Sequence, residues 1–171
     1  MTPEQAMFLC AVELRTFERE SGTTLRVLEA VPADKADYRP DEISKSAFDL
    51  AWHIAAAENT FLSAVVDGKF TFGVPRPESI RTAADIASWY AQRSQENVAR
   101  ISKLSPDELT RMVDFRGILE APAVTFIGLG LRHTVHHRGQ LSLYLRPMGA
   151  KVPAIYGESY DSAQARQSAQ A

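Results

Sequence analysis

Residues 122–146, PAVTFIGLGLRHTVHHRGQLSLYLR, indicate the architecture most directly. Apolar side chains recur through this segment at steps of three and four residues, which is the spacing of a buried stripe on one helix. Pro122 is suited to the start of a helix, and Pro147 and Gly149 stop it. The segment therefore predicts a long helix that carries three of the chain's 4 histidines.

Three upstream segments show the same apolar spacing and predict helices over residues 4–31, 46–66 and 83–104. Ser21 and Gly22 form a weak point, at which the first helix is expected to bend or split. Residues 69–81 predict a loop, and residues 111–121 predict an extended or irregular connection. Four long helices in a chain of this length indicate an all-α four-helix bundle with long connections.

The length of 171 residues suits a single domain, which we assign to residues 1–161. Residues 162–171 are rich in Ala, Gln and Ser and offer little apolar surface to bury. They therefore predict a flexible, irregular C-terminal tail.

Composition restricts the class of protein. The 19 basic residues do not exceed the 21 acidic ones, so no basic surplus favours binding to nucleic acid. The single cysteine, Cys10, excludes an intrachain disulfide framework and a Cys-rich zinc site. No apolar run has the length of a membrane span, and the N-terminus lacks the pattern of a secretory signal. These observations predict a cytoplasmic protein.

The histidines form a constellation with metal-ligand spacing. His133 and His137 stand four residues apart, so their imidazoles project from one face of the predicted helix. This is the geometry with which two imidazoles hold one metal ion. His53 lies in an apolar part of the second helix and is the remaining histidine outside the cluster, which makes it the candidate third ligand. Three histidines leave coordination positions open, as in catalytic sites.

The spacing leaves the role of His136 open. It can replace His137 as a ligand, bind a partner outside the ligand set, or face solvent. Gln140 and Tyr144 follow on the ligand face and can contact a substrate or bind back to a ligand, or they can form interhelical hydrogen bonds. The Gly residues at 128 and 130 are expected to allow a helix or ligand to approach closely.

The charged residues near the histidines are expected to have structural rather than catalytic roles. Arg132 and Arg138 are expected to form salt bridges on the surface. Glu58 is expected on the helix surface or in an interhelical bond rather than at the metal. Thr134 stands where a zinc protease has its general-base Glu, so that mechanism lacks its base.

His53 within Trp-His-Ile-Ala, together with His133-x-x-x-His137-Arg138-Gly139-Gln140, resembles the DinB/YfiT-like proteins. The exit from the last helix, with Pro147, Gly149 and Pro153, is similar too. The resemblance covers residues 4–161. It implies a four-helix bundle with a divalent metal at one end, held by His53, His133 and His137. Nickel, zinc and iron all suit such a site.

The resemblance also implies a homodimer that acts on a small-molecule substrate. Some relatives are transferases or isomerases that depend on a low-molecular-weight thiol such as mycothiol, bacillithiol or glutathione; a metal-dependent hydrolase is the other enzymatic reading. The alternative class is a non-catalytic metal-binding dimeric scaffold or stress-related interaction protein. A further alternative is that the histidines are ordinary core residues.

Overall fold

The computed structural model describes residues 1–170 as a mostly helical chain. Four long helices form the bundle: α1 (Pro3–Glu29), α2 (Ala47–Asp67), α3 (Ala83–Ile101) and α5 (Thr125–Leu145). The smaller elements are α4 (Pro106–Thr110), α6 (Tyr160–Ala169), β1 (Met112–Phe115) and β2 (Leu119–Pro122). Helices α1 and α2 each pack against both α3 and α5, which confirms the predicted four-helix bundle. Within the described part of the chain, every helix falls short of what a membrane span requires.

Short-range signals account for most helix ends. The side chain of Thr2 accepts a hydrogen bond from the backbone of Gln5 at the start of α1, and Thr82 does the same with Asp85 at the start of α3. Helix α2 ends at Gly68, whose φ of 72° is the left-handed conformation that glycine adopts readily. Helix α1 continues through residues 21–22 without the expected break, because the residues that follow are buried in the core.

The connection before α5 is an antiparallel hairpin. Strands β1 and β2 pair from Met112 opposite Pro122 to Phe115 opposite Leu119, and Gly117 turns the chain with a φ of 67°. The extended connection predicted for residues 111–121 is thus confirmed. Helix α5 begins at Thr125 rather than at Pro122, because Pro122 closes the hairpin.

Two apolar clusters fill the bundle, and a buried polar layer separates them. On each long helix the buried polar residues lie, along the chain, between residues of one apolar cluster and residues of the other. On α1, for example, Thr24 lies between Phe17 of one cluster and Val27 of the other. We call this layer the polar belt; it comprises Thr24, Glu58, Ser94, Asn97, Thr134 and Arg138. Polar groups at this depth require partners, so the belt limits how the four helices can align.

The C-terminal segment differs from the irregular tail that composition predicts. Residues 160–169 form α6, which begins at Ser159, where the Ser159 and Ser162 side chains cap the first turn. Asp161 pairs with Arg146 at 2.8 Å and accepts a hydrogen bond from the backbone of Val152, so α6 is tied to the end of α5. None of its residues is buried. The last residue of the predicted tail, residue 171, lies outside the described residues.

Candidate metal centre

Three histidines from two helices converge on one point. His53 comes from α2, and His133 and His137 stand one turn apart on α5. One ring nitrogen of each lies within 4.8 Å of the others, and the ring centroids are 4.4–5.0 Å apart. The Nε2 atoms of His53 and His137 are 3.2 Å apart. The structure thus brings together the three residues that the sequence singled out, near the middle of α5 rather than at one end of the bundle.

Close packing of α2 against α5 makes this convergence possible. A Cβ atom at Gly130 would lie 2.6 Å from the Cβ of Phe61, so only glycine permits this approach. The ring of Phe61 in turn lies 5.7 Å from that of His133. The expectation that a glycine admits a neighbouring helix is confirmed at Gly130.

The electrostatics of the site keep two of the three imidazoles uncharged. Burial lowers the pKa of His53 to about 4, with smaller contributions from His137 and Lys45. Burial and the neighbouring histidines lower the pKa of His133 to about 4 as well. Metal ions bind the neutral form of imidazole, so these two residues are ready to ligate at neutral pH.

The donor set fits a divalent transition metal. A tetrahedral ion bound at about 2.0–2.1 Å holds imidazole nitrogens about 3.4 Å apart, close to the separation of His53 and His137. His133 Nδ1 is buried and has no hydrogen-bond partner among the described residues, so the protein leaves a polar atom unsatisfied at this point. Among the described residues the cluster has three histidines and no fourth protein ligand, a donor set that suits zinc, nickel or iron.

Gln140 contacts two histidines of α5. Its Oε1 lies 2.7 Å from Nδ1 of His137, and its Nε2 lies 3.3 Å from Nε2 of His136. Gln140 therefore binds back to a candidate ligand, one of the roles that its spacing allowed. His136 is exposed and lies outside the three-histidine cluster. Of the alternatives for His136, the structure supports a position beside Gln140 rather than in the ligand set.

Three cavities reach the histidines. One of about 430 Å³ contains His53, Trp52 and Lys45, and one of about 330 Å³ contains His137, Gln140 and Tyr144. A third, of about 450 Å³, lies between α2, α3 and residues 69–77 and also contains His53. Tyr144 packs edge to face on Tyr38 at 5.8 Å and lines the His137 cavity, so it shapes the pocket wall. The centre is thus accessible to small molecules.

The prediction about Arg138 is wrong. Arg138 is 1% exposed and forms a 2.7 Å ion pair with Glu20, where a surface salt bridge was expected. Its guanidinium also donates to the hydroxyl groups of Thr24 and Tyr156. Position 138 falls on the buried stripe formed by residues 131, 134, 141 and 145, and this spacing was the available signal.

Glu58 is buried rather than on the helix surface. Its Oε1 accepts a 3.4 Å hydrogen bond from Ser94, and its Oε2 has no partner in the described chain. Burial raises the pKa of Glu58 to about 7, although Tyr90, Thr134, Ser94 and Arg138 act in the opposite direction. The hydrogen bond to Ser94 on α3 agrees with the expected alternative, an interhelical bond.

Lys45 and Trp89 are site residues that sequence analysis missed. Lys45 lies in an irregular segment with no periodicity, and Trp89 lies on α3, where its ring centroid is 5.0 Å from that of Trp52 with the ring planes tilted by 55°. No short motif marks either residue.

Family membership follows from the sequence as a whole. The profile of the DinB family matches residues 7–169. The chain belongs to the DinB family. This agrees with the resemblance carried by the histidine motifs and with the helical architecture.

Similar DinB proteins come from bacilli. The chain is 26% identical to YjoA of Bacillus subtilis (strain 168) over 136 residues, which is 78% of this chain and 86% of that protein. The crystal structure of YjoA has a TM-score of 0.70 and covers 85% of this chain and 99% of its own. A DinB-like protein from Bacillus cereus ATCC 10987 has a TM-score of 0.71 at 25% identity, covering 84% of this chain and 95% of its own.

The fold also resembles that of a thiol-dependent enzyme. The mycothiol-dependent maleylpyruvate isomerase has a TM-score of 0.57 at 14% identity. The similarity covers 82% of this chain and 61% of the isomerase.

Proposed function

We propose that this DinB protein is a metal-dependent enzyme that uses a low-molecular-weight thiol to transfer or isomerise a small-molecule substrate. The convergence of His53, His133 and His137 beside open cavities carries the proposal. A divalent ion bound by three imidazoles acts as a Lewis acid that lowers the pKa of a thiol or water beside it. The isomerase neighbour supports the proposal because it shows that a related bundle accommodates thiol-dependent chemistry.

The protein's own residues prepare the site for a ligand. Gln140 holds His137 through Nδ1, which leaves Nε2 directed at His53. Burial keeps His53 and His133 neutral and available as donors. Trp52, Tyr144 and the apolar part of the loop before α3 line the cavities, so a ligand there would meet apolar side chains beside the histidines.

Hydrolysis fits the same site less well. A metal-dependent hydrolase commonly uses a positioned base to take the proton of the metal-bound water. Among residues 1–170 the three-histidine cluster includes no carboxylate, and Glu58 is buried in the polar belt. A thiol requires less help, because its ordinary pKa lies far below that of water.

Elemental analysis of protein purified without an affinity tag tests the proposal first. We expect one zinc, nickel or iron ion per chain, and its loss in His53→Ala, His133→Ala and His137→Ala. The metal-loaded protein is then assayed for thiol transfer with mycothiol, bacillithiol and glutathione. Stoichiometric metal in all three variants would refute the ligand assignment, and an active hydrolase without thiol dependence would refute the thiol role.

We also propose that the protein forms a homodimer through α1. The alternative function, a non-catalytic metal-binding scaffold, requires such a dimer. Phe8 is 74% exposed, and Met7 and Val12 are exposed close to it, which leaves an apolar surface near the start of α1. Light scattering after size exclusion is expected to give the dimer mass for the wild type. The monomer mass is expected for Phe8→Glu/Val12→Glu, and a wild-type monomer would refute the dimer.

A further inference from the structure

The net charge of the candidate centre has a consequence for the ligand it takes. The cluster consists of three imidazoles, and no carboxylate belongs to it in the described part of the chain. A divalent ion held there therefore keeps both of its formal charges. Open positions on such a centre favour an anionic group over a neutral one.

Lys45 stands where two of the three approaches to the centre meet. It lines the cavity that contains His53 and also the cavity that contains His137, and Ser44 is the other residue shared by both. The side chain of Lys45 is exposed. In the part of the chain that the structure describes, its ammonium group makes no ion pair or hydrogen bond.

The other charged groups of these cavities are already engaged. Arg39 pairs with Asp49 at 3.6 Å and donates to the carbonyl of Ser44 at 2.8 Å. Asp49 also accepts the hydroxyl of Ser46 at 2.7 Å. In the described part of the chain, Lys45 is thus the cation that remains available to a ligand in these two cavities.

The backbone around Lys45 is held in place. Asp41 accepts hydrogen bonds from the backbone of Ile43 and Ser44, and the backbone N–H of Ala47 donates to the carbonyl of Tyr38. The lysine therefore extends from a fixed segment at the entrance to the histidine site. A fixed origin limits the entropy lost when its side chain binds a partner.

We propose that Lys45 binds the carboxylate of a small molecule whose other end reaches the three histidines, so that the site selects carboxylate-bearing ligands. The inference deepens the proposed function and rests on it for the metal and the thiol. Because either a thiol cofactor or a substrate can carry the carboxylate, the experiment separates the two sources.

Co(II)-loaded protein is titrated with two thiols that differ only in a carboxylate, N-acetylcysteine and N-acetylcysteamine. Thiolate binding is followed by the sulfur-to-cobalt absorption band. A second pair without sulfur, N-acetylserine and N-acetylethanolamine, is titrated by calorimetry. We expect N-acetylcysteine to bind about five- to tenfold more tightly than N-acetylcysteamine, the effect of one charge-assisted contact.

Lys45→Met is expected to bring the affinity ratio within each pair close to one, whereas Lys45→Arg retains the preference. Lys103→Met, which removes an exposed charge after the end of α3, controls for net charge and should keep the wild-type ratios. All variants should bind one Co(II) per chain, since Lys45 contributes no ligand.

The outcomes separate the two hypotheses. Equal binding of both thiols to the wild type, with the cobalt band present, refutes the role of Lys45 and leaves the thiol function intact. Absence of the cobalt band with both thiols refutes the thiol function, and the sulfur-free pair still tests Lys45. A preference confined to the thiol pair assigns the carboxylate to the cofactor, and one present in both pairs assigns it to ligands generally.

Discussion

Nδ1 of His137 lies 2.7 Å from Oε1 of Gln140, which follows it by one turn of α5. The amide thereby fixes the ring orientation and the tautomer that leaves Nε2 free. We expect Gln140→Ala to weaken metal affinity about 10- to 100-fold while leaving the helical content unchanged. Competition with a chelator measures the affinity. Gln92→Ala, on the exposed face of α3, is the control, and equal affinities in both variants would contradict the role of Gln140.

His136 and His137 give a direct comparison between neighbours. His136 touches Gln140 but stays outside the three-histidine cluster, whereas His137 belongs to it. His137→Ala should abolish stoichiometric metal binding. His136→Ala should retain one ion per chain with an affinity within about tenfold of the wild type, because it loses only an outer contact. Elemental analysis after dialysis decides, and the reverse pattern would make His136 the ligand.

Arg138 is expected to stabilise the fold strongly. Its replacement by Met leaves Glu20 without its ion-pair partner and removes bonds to Thr24 and Tyr156. We expect a loss of about 3 kcal/mol in the free energy of unfolding, measured by urea denaturation. Arg132→Met, on the exposed face of the same helix, should change it by less than about 0.5 kcal/mol. Similar changes in the free energy of unfolding for Arg138→Met and Arg132→Met would show that the buried ion pair contributes little to stability.

Glu58 should make stability depend on pH. Its pKa in the fold, about 7, lies above the ordinary 4.5, so the protonated carboxyl is the favoured form. Its contribution is therefore fully present below pH 4.5 and is lost as the pH rises through about 7. Between about pH 5.5 and 8.5 the wild type should lose about 2 kcal/mol more than Glu58→Gln, which cannot ionise.

Urea unfolding of both proteins at the two pH values measures this difference. Glu29→Gln, exposed on α1, is the matched control and should follow the wild type. If Glu58→Gln shows the same pH dependence as the wild type, then Glu58 ionises in the fold as it does in the unfolded chain.

Two glycines of α5 should respond in opposite directions to alanine. The added methyl at Gly130 meets Phe61, so Gly130→Ala should cost about 1–3 kcal/mol and separate α2 from α5 beside His133. At Gly139 the added methyl has no atom within 4 Å among the described residues apart from its chain neighbours and its own helix backbone, so Gly139→Ala should stabilise the helix by about 0.5–1 kcal/mol. Thermal unfolding compares the pair, and a shift of the same sign in both would contradict the packing.

The sequence predicted the helices and the His133–His137 pair because both depend on local spacing, whereas His53 was assigned as the remaining histidine. Apolar periodicity located the long helices, and the interval of four residues placed His133 and His137 on one face. Arg138 was misplaced because its charge suggested solvent, although its spacing put it on the buried stripe. The position of Lys45 depends on hydrogen bonds within an irregular segment and on its packing near α2 and α5, which no local pattern encodes.

The polar belt also bears on how the helices are aligned along their axes. If α5 slid by one turn against its neighbours, Arg138 would move away from Glu20 and towards apolar side chains. A core built only of leucine side chains would tolerate this one-turn shift far better, because each apolar layer resembles the next. We expect the belt to set the register of the bundle. His53 would then lie opposite His133 and His137 because the residues of the polar belt, none of which is a candidate metal ligand, destabilise every other alignment of α2 and α5.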